Sequence, residues 1–287
     1  MAFMLLLVQL IALALSEPFE INEFRAFENP EATGNVVYWI GAILVFTAFI
    51  FVVIKMNKRW IIQAFILFAV FSTLYYVFFA IFSMFLIPEL NFLLTPMLSA
   101  ALTVILYKFP EWYVIDITGV TIGAGAASIF GISLAILPAM LLLVLLAVYD
   151  YIAVYRTKHM IALAEGVMDL RLPILLVIPK HWKYSFLKEK FDKEEREAFF
   201  MGLGDAVIPT IFVISANTFV DAGYYTLPLI GNVNLPAIGA MLGTLAGFAV
   251  LMGFVIKGKP QAGLPFLNSG VILGYVAGSL IAGSPMI

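Results

Sequence analysis

Long apolar runs separated by short polar segments dominate this chain. Nine runs stand out, at about 2–16, 36–54, 61–87, 91–107, 113–132, 134–155, 198–219, 235–256 and 263–283. A helix needs roughly 20 apolar residues to cross the hydrocarbon core of a bilayer. Backbone groups in lipid must be bonded inside their own segment, so the runs are predicted as helices. The expected architecture is an all-α membrane protein, a polytopic bundle of nine transmembrane helices. No internal repeat or low-complexity tract divides it. A single transmembrane domain is expected over 1–287, with spans one to six in 1–155, a cytoplasmic loop at 156–197 and spans seven to nine in 198–287. Within the spans, the spacings Gly119/Gly123 and Gly239/Gly243/Gly247 predict close helix contacts.

Composition makes lipid the solvent. The 287 residues are 63% hydrophobic and 12% charged, with a mean hydropathy of +1.05. A soluble domain is about 45–50% apolar and about 25% charged, so this chain has too little polar surface to face water. The first run is short, and Ala14-Leu15-Ser16 before Glu17 has some likeness to a signal-peptide cleavage site. It lacks a basic n-region, which favours a retained helix.

Several chemistries are excluded. Cysteine is absent, which removes disulfides, thiolate metal sites and cysteine nucleophiles. The two histidines, His159 and His181, both lie in the polar loop, so no histidine metal site is available inside the membrane. No cofactor or metal is expected. A net charge of −2 with no basic arm gives no footprint for a nucleic-acid partner.

Lysine and arginine set the orientation. The loops after even-numbered spans hold Lys55, Lys58, Arg59, Lys108, the cluster from Arg156 to Arg196, Lys257 and Lys259. The loops after odd-numbered spans hold only Arg25, one of the 16 basic residues. Even-numbered loops are therefore predicted to be cytoplasmic, with the N-terminus inside and the C-terminus outside.

Three acids interrupt the spans: Asp116, Asp150 and Asp205. A charge at mid-membrane costs about 2.5–3.5 kcal/mol on insertion scales, so such residues call for a reason. Asp116 falls within a turn of the cytoplasmic boundary, near Lys108, and reads as a packing carboxylate whose side chain reaches the interface. Asp150 lies about six residues before the end of span six, and Asp205 about eight residues into span seven. At 1.5 Å per residue these are depths of roughly 9 and 12 Å on neighbouring antiparallel helices. Two carboxylates brought together in low dielectric cannot both ionise, and such a pair titrates as a unit. One can take a proton from water while the other donates to a peptide carbonyl. Each could also be an ion-coupling or packing carboxylate.

The neighbours of these acids carry a resemblance. Asp205 follows Gly202-Leu203-Gly204, Asp150 follows Tyr149, and span nine opens with Leu264-Pro265-Phe266-Leu267. This set, in this order, resembles the presenilin and signal peptide peptidase family of Gly-x-Gly-Asp intramembrane aspartyl proteases, and in size the small prokaryotic, archaeal-type presenilin homologues. The combination is far more specific than Gly-x-Gly-Asp alone. The resemblance implies that Asp150 and Asp205 form the catalytic pair and that Pro265-Phe266-Leu267 packs beside them and helps to admit substrate. Phe266 stands where the family usually has alanine. Tyr149 is expected as a packing or hydrogen-bonding neighbour. Gly202 and Gly204 weaken the helix locally, by about 1 kcal/mol each, and would let an extended substrate lie beside main chain; tight helix packing would also explain them. An N-terminus inside matches the presenilin branch. Single-span membrane proteins in the bilayer are the implied substrates, in a prokaryotic cell membrane and without accessory subunits.

In the polar loop, Pro173 to Pro179 reads equally as a short strand or as an interfacial stretch. In the family, this region can become ordered with substrate by strand addition. His181 to Arg196 reads as charged and solvated, with Glu194 and Glu195 opening the seventh helix. Compared with eukaryotic presenilins the loop is short, and no obligatory self-cleavage is expected in it. The rival function is an ion-coupled transporter. Against it stand the lack of a repeat relating the two halves and the position of both acids near one face. A prepilin peptidase would usually have lysine where Val207 stands, and cysteines as well.

Overall fold

The computed structural model describes residues 1–56, 58–157, 175–181, 184–188, 197–255 and 261–285. Among these, nine α-helices follow in order. They are α1 (Ala2–Ile21), α2 (Gly34–Lys55), α3 (Arg59–Ser83), α4 (Pro88–Lys108), α5 (Trp112–Gly131), α6 (Ile136–Ile152), α7 (Leu203–Phe219), α8 (Leu235–Val255) and α9 (Leu264–Ala282). Eight are long and apolar enough to cross a membrane, and α7 is a shorter apolar helix of 17 residues. Large apolar side chains such as Val45, Phe68 and Leu273 face outward, as lipid as solvent requires. Helix α1 packs against α5, α7, α3 and α8, and its Leu5, Val8, Ala12 and Phe19 are fully buried.

Two short antiparallel sheets join the helices. In the first, β1 (Leu175–Pro179) pairs with β2 (Ala198–Gly202), Leu176 opposite Met201 and Val177 opposite Phe200. The strand reading of the proline-bounded stretch thus holds over 175–179. The second is a hairpin of β3 (Tyr224–Leu227) and β4 (Gly231–Asn234), which the apolar pattern did not signal. Asn234 fastens it. Its Nδ2 donates to the carbonyls of Ala216 (2.8 Å) and Val220 (3.1 Å), and its Oδ1 accepts from Ala237 N–H (2.9 Å), capping α8.

Three expectations change. Span seven does not begin as a helix at 198: residues 198–202 are strand β2, and α7 starts at Leu203. Gly202 and Gly204 disfavour helix there, and β1 satisfies the main chain of β2. Glu194 and Glu195 lie outside the described residues. Of the stretch expected to be solvated, Tyr184 and Phe186 are buried, and Glu111 before α5 accepts from Ser185 Oγ (2.7 Å) and Phe186 N–H (3.0 Å). Finally, of the first glycine pair only Gly123 makes the expected close helix contact, with α7, whereas Gly119 lies against a strand. A Cβ on Gly119 would meet Leu176 of β1 at 3.3 Å, and one on Gly123 would meet Leu203 and Val207 of α7 at 3.0 and 3.3 Å.

The close contact predicted for Gly239, Gly243 and Gly247 is present, with α9. A Cβ on Gly239 would strike the carbonyl oxygen of Gly274, one on Gly243 that of Gly270, and one on Gly247 that of Phe266. Gly270, Gly274 and Gly278 return the contact from α9. Their spacing of four was in the sequence, but only half of this seam was recognised there.

Candidate active site

Helix α6 carries Asp150 two residues before its end, and the chain continues as one π-helical turn, Ala153–Thr157. Asp150 is buried, at 5% exposure. Its Oδ2 accepts from the backbone N–H of Leu264 at 3.1 Å, and the N–H of Gly263 lies near enough to act on the same carboxyl electrostatically. These are N–H groups of the first turn of α9, which have no partner inside the helix. The positive end of the α9 dipole therefore faces Asp150. Pro265 sits in that first turn, where its missing N–H costs nothing.

Asp205 is the third residue of α7. It therefore stands in the first turn, not two turns inside the helix as the span boundaries implied. Its carboxylate lies against Gly263: a Cβ built there would be 3.1 Å from the Cγ and both oxygens. Asp205 is within Coulombic reach of Asp150. The two acids thus converge on the start of α9 at Gly263 and Leu264, Asp150 near their N–H groups and Asp205 over the Cα of Gly263.

A cavity of about 180 Å³ opens beside Asp205. Phe199, Phe200, Met201 and Gly202 of β2 line it, with Phe248 of α8, and Gln261, Gly263 and Leu267 around the start of α9. Gly202 ends β2, and a Cβ there would lie 3.4 Å from Asp205 Oδ2. Gly204 has open space around its Cα, so tight packing does not explain it. Leu203 instead packs on Gly123 of α5. Leu267 is fully buried, and the ring of Phe266 lies 5.5 Å from that of Phe254. Asn268 donates to Leu143 O at 2.8 Å, tying α9 to α6. Tyr149 is on the outer side of α6, at 38% exposure, and does not line the cavity.

Sequence reasoning missed Gly263 and Gln261. Gln261 Oε1 accepts from the Tyr155 hydroxyl at 2.5 Å across the same junction. Asp116 packs inside the protein, as its reading as a packing carboxylate expected, but its partner was not foreseen: it is 4% exposed and accepts the N–H of Val177 in β1 at 2.7 Å. Its position opposite a predicted strand was visible only once the fold brought 116 and 177 together. Among the described residues, no group of His, Cys, Asp or Glu is arranged to hold a metal ion.

A buried carboxylate and a half-buried one at the same helix N-terminus, beside a cavity edged by a strand, can share a proton and act on a backbone laid along that strand. The description of the family model that matches residues 2–284 is signal-peptide peptidase, presenilin aspartyl protease. Two solved structures, each of a presenilin family intramembrane aspartate protease, are similar to this chain. They are the C222 and P2 crystal forms, both at 42% identity over 98% of this chain. The matches cover 98% and 96% of those chains, with TM-scores of 0.74 and 0.72. No curated protein sequence matches.

Fold and comparisons together define an integral multi-pass membrane hydrolase of the intramembrane aspartyl class. The chain belongs to the signal-peptide peptidase and presenilin family of aspartyl proteases. The ion-coupled transporter reading finds no support.

Proposed function

We propose that Asp150 and Asp205 are the catalytic pair of this protease. The observation that carries the assignment is their convergence on Gly263 at the start of α9. A water between the carboxylates loses a proton to the ionised one and attacks the substrate carbonyl carbon. The protonated carboxyl donates to the carbonyl oxygen. The tetrahedral intermediate then collapses, and the departing amine takes a proton from the acid that first acted as base. Gly202, Leu203 and Gly204 carry Asp205 from strand to helix, and Pro265, Phe266 and Leu267 continue the helical turn whose leading N–H groups, at Gly263 and Leu264, face Asp150. Tyr149 acts at most as an outer neighbour.

The substrates are single-span membrane proteins, unwound where they meet the site. Their extended backbone adds to the edge of β2 away from β1, which has no strand beside it among the described residues. Both acids, their donors and the strand belong to one chain, which supports action without accessory subunits. The chain sits in a prokaryotic cell membrane with its N-terminus inside, so substrates present their N-termini outside.

The test uses purified full-length protein in proteoliposomes with a single-span substrate. Asp150→Asn and Asp205→Asn each reduce cleavage to background while keeping the wild-type melting temperature. A well-folded single variant that still cleaves refutes the pair.

A further inference from the structure

Asp116 is a buried acid that the proposed chemistry does not use. It stands on α5 with Gly119 and Gly123 at i+3 and i+7, on one face of the helix. That face receives β1 through Leu176 and the start of α7 through Leu203 and Val207. One helix face therefore locates both the sheet and the turn that carries Asp205.

The hydrogen bond from Val177 N–H to Asp116 Oδ1, at 2.7 Å, sits within the strand register. In an antiparallel pair, opposed residues alternate between exchanging both hydrogen bonds and turning both away. Lys180 N–H donates to Glu197 O at 2.9 Å, continuing the ladder one pair beyond Pro179 and Ala198. Residues 176, 178 and 180 therefore bond to β2, and Val177 turns its N–H outward. Asp116 accepts that outward N–H, and a side chain fills the outer edge of β1 where a third strand would otherwise pair. By the same alternation, Phe200 and Gly202 turn their main-chain groups to the far edge of β2, and both line the cavity beside Asp205.

We propose that Asp116 is a positioning residue for proteolysis. It closes the outer edge of β1 and pins the register of the sheet, so that substrate backbone adds only to β2 and in one alignment with Asp205. This rests on the reading of Asp150 and Asp205 as the catalytic pair and of β2 as the docking edge. Without the acceptor, β1 loses its anchor and the alignment of the added strand is no longer unique.

The experiment compares wild type, Asp116→Ala, Asp116→Asn and Asp205→Asn on one single-span substrate, reading KM, kcat and the cleaved bonds by mass spectrometry. Asp116→Ala is expected to raise KM about tenfold, as expected for loss of one hydrogen bond to a carboxyl, with a smaller change in kcat. It is also expected to spread cleavage from the main bond to its neighbours. Asp116→Asn keeps the acceptor and restores both. Wild-type KM and an unchanged cleavage pattern in Asp116→Ala overturn the proposal. So does an Asp116→Asn protein that folds but behaves as Asp116→Ala. If Asp116→Ala does not fold, Val177→Pro removes the same bond from the strand side without touching the ladder. It should spread the cleaved bonds, and an unchanged pattern in that variant also overturns the proposal. Asp205→Asn separates the two layers. Cleavage by that variant removes the catalytic reading itself, whereas its silence beside a normal Asp116→Ala removes only the role of Asp116.

Discussion

At Gly263 a single absent side chain leaves room for the Asp205 carboxylate beside the helix start that holds Asp150. A methyl group there would sit 3.1 Å from three atoms of the Asp205 carboxylate, tighter than ordinary contact, and would push it off the line to Asp150. A displacement of about 1 Å at a reacting group can cost about 10²-fold in rate. Gly263→Ala should therefore lower kcat by about that factor while the melting temperature stays within a few degrees. Wild-type turnover in this variant would show that the carboxylate has room to spare. The aspartates were legible because an acid inside an apolar run announces itself. Gly263 was not, since a glycine before Leu-Pro looks like any helix start. Asp116 was visible as an acid, but its partner is a backbone N–H at 61 residues' separation, and no residue pattern encodes that.

The elements around the site are held by two kinds of contact. Sheet β1–β2 is held by hydrogen bonds, and its existence was only half legible. The stretch 173–179 could be read as a strand from its prolines, but 198–202 is a continuous apolar run that fits strand and helix equally. What decides it is pairing, supplied by a segment about 20 residues earlier in the chain. The α8–α9 pair is held instead by main chain against main chain. Gly243 has the Gly270 carbonyl where its own Cβ would be. Gly243→Val must force the helices apart, and overpacking of this kind costs about 1–3 kcal/mol. Thermal unfolding in detergent should show a lower midpoint, and cleavage should fall with it, because Phe266 leans on the same seam through Gly247. An unshifted midpoint would mean that the seam is looser than its geometry.

At the scale of the whole molecule, the order of helices was readable almost throughout, since each membrane crossing needs its own apolar run. The hairpin β3–β4 was not, because it lies outside the apolar runs and is fastened by scattered polar side chains, Asn217, Asn232 and Asn234, that form no periodic pattern. Topology is the property to measure here. With 15 of 16 basic residues following even-numbered spans, reporters inserted at 156–197 should report a cytoplasmic position, and reporters in 221–234 an external one. The reverse pattern would place the acids near the opposite membrane face and change which ends of substrates are presented.

The glycine seam has a mechanical consequence. Where carbonyls rest directly on neighbouring α-carbons, no long side chains can swing to fill a widening gap. Pulling α9 from α8 would leave an empty slot, so the two helices travel together as a rigid plank. Room for a bulky guest has to be made along the other flanks of the site, where flexible side chains can give way.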